Sequence, residues 1–177
     1  MVSGLVLGMT VSVNAAEETS KGTATMAMVQ LNQEIRKKLV DSLQKNGPVG
    51  TIDVCVKEAP LLLSRIENEY GVTIKRTSMK IRNPQNAPDS AEKEALEALD
   101  SYRKANGVIP TGVTTFPNNQ RRFYKAISME QACLKCHGDT TSIAEQVRKE
   151  ITAVYPNDQA VGYKEGELRG IVSVLVK

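Results

Sequence analysis

The chain has 177 residues, enough for one domain with or without a leader, and 41% of them are hydrophobic, enough for a core. The formal net charge is +3 and the sequence has no dense basic run, so nothing indicates a surface that follows nucleic-acid phosphates. Aromatic residues make up 4% and Trp is absent, a shortage that a large, flat, apolar cofactor would offset.

The first residues predict an export signal. Residues 2–13 are apolar and uncharged, Val13-Asn14-Ala15 fits the small-residue cleavage rule, and polar sequence follows. The apolar run is too short to cross a bilayer, and no second apolar segment follows it. No Lys or Arg precedes the run, so either the α-amine alone supplies the positive charge or the true start lies upstream. We expect a cleaved signal peptide over residues 1–15 and a soluble periplasmic protein without stable membrane insertion; a buried, uncleaved helix is the alternative.

Two helices are predicted in the first part of the mature chain. Apolar residues recur at steps of three and four from Thr23 to Asn46, and Gly47-Pro48 ends this helix. A second helix begins at the capping residue Thr51 and runs to Tyr70, where Gly71 ends it. Pro60 lies inside this second helix, so we expect a kink there or a split into two pieces.

A strand and a third helix are predicted next. Apolar and polar residues alternate from Val72 to Arg82, which predicts one strand. A turn-rich link follows, and a helix is predicted over 91–105 with Ser90 as an imperfect cap. The stretch 108–119 is predicted to be a loop.

The last part of the chain predicts strands close to one another. A strand is expected over 121–127, a helix from Ser142 to Val154, and a final strand over 168–176 that is almost continuous Ile, Val and Leu. Helices combined with neighbouring strands favour an α+β domain over a small all-helical cytochrome.

The stretch Cys133-Leu134-Lys135-Cys136-His137 carries the strongest chemical signal. Two thiols separated by two residues, with an imidazole directly after, form the attachment pattern of c-type haem. Each thiol can add to one vinyl group on one porphyrin edge, and the imidazole can then reach the iron. His137 is the only histidine in the chain, so it is the candidate proximal ligand. We therefore predict one covalent haem c held by Cys133, Cys136 and His137.

Three other interpretations of these residues stay open. A zinc site could use Cys133, Cys136, Cys55 and His137, although the adjacent pair Cys136-His137 is hard to turn onto one tetrahedral metal. A dithiol redox site would lack the βαβ surroundings typical of such sites. A structural disulfide would leave the position of His137 unexplained.

Cys55 is the cysteine left over once the haem motif is used. A lone thiol in an exported protein is expected to be buried or bound, and Cys55 lies on the apolar face of the second predicted helix. From the residues alone it is a candidate axial ligand or an inert core cysteine. Met79 and Met129 compete with it as ligands, and an open or Lys-bound site is the remaining option.

Arg82, Arg122 and Tyr124 are candidate partners for the haem propionates. A guanidinium binds a carboxylate through two parallel hydrogen bonds, and a tyrosine hydroxyl adds a donor. The alternative is that all three are solvated residues of the predicted strands.

Several stretches of the sequence together resemble a known family. They are Arg82-Asn83-Pro84 with Pro88-Asp89, Tyr124 shortly before the haem motif, Tyr155-Pro156-Asn157-Asp158 with Gly162-Tyr163, and Arg169-Gly170. The chain resembles the exported single-haem c-type proteins whose haem domain has a PAS-like fold, long catalogued as a domain of unknown function. The likeness covers residues 25–177.

The resemblance implies a PAS-like α+β fold, in which helices flank an antiparallel sheet and the haem c lies at the sheet. It also implies a His/Cys-ligated haem whose thiolate comes from an early helix, and the matching position is Cys55. Ala126 departs from the family, which often has Pro there; the change loosens a local turn and involves no ligand. Members occur alone or as the sensory part of membrane kinases and cyclases.

Three functions follow as expectations. The first is an extracytoplasmic monohaem cytochrome that transfers single electrons to an unidentified redox partner or senses redox state. The second is a haem-based gas or redox sensor that signals to a partner protein. A peroxidase-like enzyme comes last, because an iron with six ligands has no vacant site, and we expect the protein not to be an enzyme.

Overall fold

A computed structural model of the protein describes residues 7–115 and 121–177, with side chains from residue 15 onward. Part of the predicted signal peptide over 1–15 lies outside the described residues, so its cleavage stays a prediction. None of the helices in the described ranges is both long enough and apolar enough to cross a membrane.

Helix α1 (Leu7–Asp53) is the longest element and bends at Gly47, where φ is 65° and ψ is −176°. Glycine adopts a positive φ without steric cost, and Pro48 directly after it cannot continue the regular hydrogen-bond ladder. The prediction of a helix up to Asn46 is confirmed. The predicted stop is a bend, because helical geometry resumes after it.

A π turn over Val54–Glu58 joins α1 to α2 (Ala59–Tyr70). Within it the Ala59 N–H donates to the Val54 carbonyl, one residue further back than in an α-helix. Pro60 has no N–H to offer, so the regular ladder is broken and a wider turn takes its place. The predicted split at Pro60 is confirmed.

Four strands form one antiparallel sheet in the spatial order β1-β4-β3-β2. Their bounds are Val72–Thr77 for β1, Val113–Thr114 for β2, Arg122–Ser128 for β3 and Leu168–Val176 for β4. Strand β4 pairs with β1 on one side and with β3 on the other. Together with the helices, this sheet confirms the predicted α+β class.

The remaining helices are short or lie at the periphery. They are α3 (Ser90–Asn106), α4 (Leu134–His137), α5 (Glu145–Val154) and two 3-10 turns over Pro84–Asn86 and Gln131–Cys133. The cap predicted for α3 was wrong. Asp89, not Ser90, is the N-cap, and it forms a capping box with Glu92.

The helices form a layer on each face of the sheet. Side chains alternate between faces along a strand, so Phe123 packs with α1 and α2 while its neighbour Tyr124 packs with α3. In β4, Val172 faces α1 and α2, whereas Ile171 faces α3. Whether a side chain can reach the candidate site therefore depends on its position in this alternation.

Several predicted boundaries differ from the structure. The second helix does not begin at Thr51 as predicted, because Thr51 lies inside α1. The strand predicted over Val72–Arg82 ends at Thr77, and the chain then leaves the sheet, which takes Arg82 off the strand. Helix α5 begins at Glu145 rather than Ser142. The loop predicted over 108–119 contains β2, and its last residues lie outside the described part of the chain.

Candidate functional site

A cavity of about 370 Å³ lies between the α1–α2 layer, the end of β1 and the Cys-Leu-Lys-Cys-His segment. The four residues predicted to bind the haem covalently or axially all line it: Cys55, Cys133, Cys136 and His137. Much of the remaining wall is aliphatic, with Leu39, Leu43, Ile52, Leu63, Ile81 and Ile127. The volume is within the range of roughly 300–1,000 Å³ that is usual for ligand pockets.

His137 is held in one orientation by its neighbours. Its Nδ1 lies 2.7 Å from the carbonyl oxygen of Ala160. Burial lowers the pKa of this imidazole well below its usual value, and the cations Arg169 and Arg82 act in the same direction. A neutral ring must donate through Nδ1–H to that carbonyl, which leaves the Nε2 lone pair available. Metal-ligating histidines in proteins have this arrangement.

Backbone contacts anchor the turn that carries His137. The Tyr163 N–H donates to the His137 carbonyl at 3.0 Å, and the Gly162 N–H donates to the Gly138 carbonyl at 2.8 Å. The Tyr163 ring also meets the imidazole edge to face, with centroids 6.4 Å apart. The Gly-Tyr stretch noted in the sequence thus fixes the imidazole from behind.

Arg82 ties the same turn to the following loop. Its Nη2 donates to the Cys136 carbonyl at 2.6 Å and lies 2.9 Å from Oδ2 of Asp158. The two side chains are only 14% and 11% exposed, so water screens this ion pair weakly. Arg82 lines the cavity, and its Nη2 contacts link the haem motif to Asp158.

Cys55 lies in the π turn and faces the cavity. Its thiol has accessible surface although it lies deep in the protein, because that surface belongs to the cavity wall. Burial raises the pKa of the thiol, and the positive charges of Arg76, Arg82 and Arg169 oppose this without cancelling it.

The competing sulfur ligands lie elsewhere. Met79 is 52% exposed, and Met129 is buried in a separate cluster with Ala160 and Tyr163. Neither residue lines the cavity, and no lysine is among its lining residues in the described chain. Of the candidates for an axial ligand opposite His137, Cys55 is the one that the fold brings to the cavity.

Two of the predicted propionate partners must be corrected. Arg122 and Tyr124 do not line the cavity. Arg122 pairs with Asp89 at 2.6 Å, and Tyr124 packs against α3. Both side chains lie on the α3 face of the sheet, and the cavity lies on the other face.

The sequence interpretation missed Arg76 and Arg169, which do line the cavity. A signal for Arg76 was present, since a period of two places it on the same face as the core residues Val72 and Ile74. For Arg169 the signal was weaker, because an irregular register near Ser128 alters the alternation at the start of β4.

The other chemistries considered for these residues gain no geometric support. Within residues 7–115 and 121–177, no three His, Cys, Asp or Glu side chains are grouped closely enough to hold a metal ion. All three cysteines are unpaired thiols. A largely aliphatic cavity that is bordered by the paired thiols of Cys133 and Cys136 and by an oriented, neutral imidazole fits a porphyrin whose iron takes the imidazole nitrogen.

Comparison with known proteins identifies the family and the fold. A family model described as Tll0287-like matches residues 13–177. The solved structure described as "Crystal structure of the cyanobacterial heme-protein Tll0287" is similar over 88% of this chain and 92% of that chain, with 23% identity and a TM-score of 0.65, which shows a shared fold. No protein matches in the comparison with curated proteins. The resemblance predicted from the sequence is confirmed, and because the family model covers nearly the whole chain, this protein belongs to the Tll0287-like family.

Proposed function

We propose that this protein is an extracytoplasmic monohaem c-type cytochrome with a PAS-like haem domain over residues 25–177. It transfers single electrons, or senses redox state, through a His/Cys-ligated haem. The observation that carries the proposal is the convergence of Cys133, Cys136, His137 and Cys55 on one cavity. The similar solved structure is described as a heme-protein, which supports the same cofactor class here.

Each residue has a definite part in holding the group. Cys133 and Cys136 would form the two thioether bonds, His137 would bind iron through Nε2, and Cys55 would supply the opposite ligand as a thiolate. The bound haem supplies a one-electron redox centre. The Ala160 carbonyl fixes the imidazole tautomer, which keeps Nε2 directed away from the backbone. A thiolate ligand donates charge and stabilises ferric iron, so we expect a low reduction potential.

The proposed compartment follows from the chemistry of attachment. Thioether formation takes place outside the cytoplasm in bacteria, and the apolar segment over residues 2–13 is suited to export. We therefore propose a periplasmic location for the mature protein, with an unidentified redox protein as its partner.

The test is purification of the protein after export in cells that mature c-type cytochromes. Intact mass and a pyridine haemochrome spectrum should show one covalent haem c, and spectropotentiometric titration should give one low-potential, one-electron transition. A colourless protein with the mass of the bare mature sequence would contradict the proposal.

Cys55→Ser tests the axial ligand. We expect the ferric protein to lose its near-infrared thiolate-to-iron charge-transfer band and to change its low-spin EPR signal, and its potential to rise because a charge donor is removed. Met79→Leu is the matched control, since Met79 is 52% exposed and does not line the cavity, and it should leave both spectra unchanged. If Cys55→Ser leaves the EPR signal unaltered, Cys55 is not the ligand.

A sensor module is the second candidate function, and the π turn favours it. Such turns inside helices are frequent at functional sites, and this one places Cys55 at the junction of α1 and α2. Exchange of the Cys55 ligand would alter packing at that junction, which a partner could detect. Displacement of an endogenous ligand by carbon monoxide or nitric oxide would favour the sensor, and fast reduction by periplasmic donors would favour the carrier.

We propose no enzymatic activity. A peroxidase needs an open iron face, and a Cys55 thiolate bound to the iron would leave none open. Sustained turnover of hydrogen peroxide by the purified protein would contradict this assignment.

A further inference from the structure

The cavity has more positive than negative charge on its wall. Four arginines line it in the described chain, namely Arg36, Arg76, Arg82 and Arg169. The only carboxylate among the lining residues of that part of the chain is Glu130, and it pairs with Arg36. Asp158 pairs with Arg82. Arg76 and Arg169 are therefore left without a carboxylate.

Arg169 is satisfied by neutral partners. Its guanidinium carbon lies 5.5 Å from the centroid of the Tyr163 ring, a cation–π distance. Its Nη1 also reaches the Lys80 carbonyl at 3.4 Å. These contacts are suited to a cation at the edge of a site.

Arg76 has no such partners. The alternation of β1 directs its side chain to the cavity face, and its Nε is buried without a hydrogen-bond partner. Throughout residues 7–115 and 121–177 we find no hydrogen bond or ion pair to its guanidinium. Burial lowers the pKa of Arg76, while the nearby thiols of Cys55 and Cys133 act in the opposite direction.

An unpaired buried guanidinium is costly. Removing a charge from water has a penalty of several kcal/mol even after relaxation, and native proteins place such charges beside an opposite charge. Arginine stays protonated in proteins, so Arg76 cannot escape this penalty by losing its proton. A carboxylate next to Arg76 would supply that opposite charge.

We propose that Arg76 is the binding residue for a carboxylate of the ligand in this cavity, and that this carboxylate is a haem propionate. The inference rests on the proposed function, because a haem brings two carboxylates into a site that otherwise lacks one for Arg76. A guanidinium fork matches a carboxylate in geometry, with Nε and one Nη donating in parallel. Arg76 thus takes a role that the sequence interpretation gave to Arg82, Arg122 and Tyr124.

The experiment compares Arg76→Gln, Arg76→Lys and Arg122→Gln in the holoprotein. Arg122 is the matched control because it is also an arginine on a strand, but it faces α3 and pairs with Asp89. Resonance Raman reports the propionate bending band, and spectropotentiometry reports the ferric-to-ferrous equilibrium.

Loss of a positive charge beside the haem favours the ferric form. For Arg76→Gln we expect a shifted propionate band and a change of about tenfold in that equilibrium, equivalent to a potential lower by about 59 mV for one electron. Arg76→Lys keeps the charge and loses the fork, so the band should shift while the potential changes less. Arg122→Gln should leave the band and the potential at wild-type values.

The possible outcomes are distinct. Suppose that the wild type carries haem but the propionate band is unchanged in Arg76→Lys, and also in Arg76→Gln if that variant matures. This result overturns the assignment of Arg76 and leaves the proposed function standing. A wild type without covalent haem overturns both. Acetate added to the wild-type holoprotein should leave the band unchanged; an acetate-dependent shift would show that Arg76 binds free carboxylates instead and would overturn the assignment.

Discussion

The buried ion pair between Arg82 and Asp158 leads to a strong prediction about stability. Asp158→Asn removes the negative charge, yet the amide oxygen can still accept the Ala160 N–H, which lies 2.8 Å from Oδ1 in the native protein. The substitution therefore isolates the effect of leaving Arg82 without its counter-charge. Breaking a buried pair in this way costs about 3–5 kcal/mol.

We expect the lower end of that range. Arg82 keeps its hydrogen bond to the Cys136 carbonyl at 2.6 Å and a longer one to the Ala160 carbonyl at 3.4 Å, which offset part of the lost attraction. A loss of about 3 kcal/mol, with a urea m-value of about 1–3 kcal/mol/M, lowers the unfolding midpoint by about 1–3 M.

The assay is equilibrium urea unfolding of the purified protein, followed by circular dichroism. The control is Glu145→Gln, which removes the acid of a pair with Lys149 whose side chains are 69% and 67% exposed. Exposed pairs of this kind contribute about 0–1 kcal/mol. Equal midpoint shifts for Asp158→Asn and Glu145→Gln would refute the reasoning, because burial would then make no difference.

Two further substitutions test other parts of the fold. Burial raises the pKa of Asp89, but hydrogen bonds from Arg122 and from the α3 backbone outweigh it, so the pKa lies below its usual value. The stabilisation is present above the unfolded pKa of about 3.9 and is lost as pH falls through the lower folded pKa. Asp89→Asn keeps a side chain that can cap the helix, so the free energy of unfolding should fall less steeply at acid pH in this variant. An unchanged pH dependence contradicts this. Gly170→Ala would place a Cβ 2.2 Å from the Thr77 carbonyl oxygen, so we expect a loss of about 1–3 kcal/mol in urea unfolding. At Gly22, where a Cβ meets nothing within 4 Å, Ala should instead add about 0.5–1 kcal/mol, and equal effects at the two glycines would count against the steric argument.

Local features were predictable from the sequence because they depend on neighbouring residues. The split at Pro60 follows from a missing N–H, and the helix end at Gly71 follows from the ease of a positive φ, which is 64° there. The haem motif likewise needs only its own spacing to be recognised. Family-level resemblance favoured Cys55 over the other candidate ligands, and Cys55 lines the cavity.

Long-range features were harder to predict. The strand pattern through Arg82 gave no sign that the chain leaves the sheet after Thr77, since the ion pair with Asp158 forms only in the folded protein. The charge on Arg122 gave no indication of which sheet face carries the cavity. Alternation along β1 puts Arg76 on the same face as apolar side chains. A charge on such a face indicates a buried group that needs a partner, and this signal would have identified Arg76.

The position of β4 has a consequence for the order of assembly. This strand follows the other three in sequence, yet it lies between β1 and β3 in the sheet. Neither neighbour can complete its pairing before β4 emerges, so most of the sheet forms from contacts that are distant in sequence, which slows folding. Gly170, part of the cavity wall, also arrives after Cys133 and Cys136. The two thiols are consequently accessible to other proteins during synthesis, before this part of the cavity wall is in place.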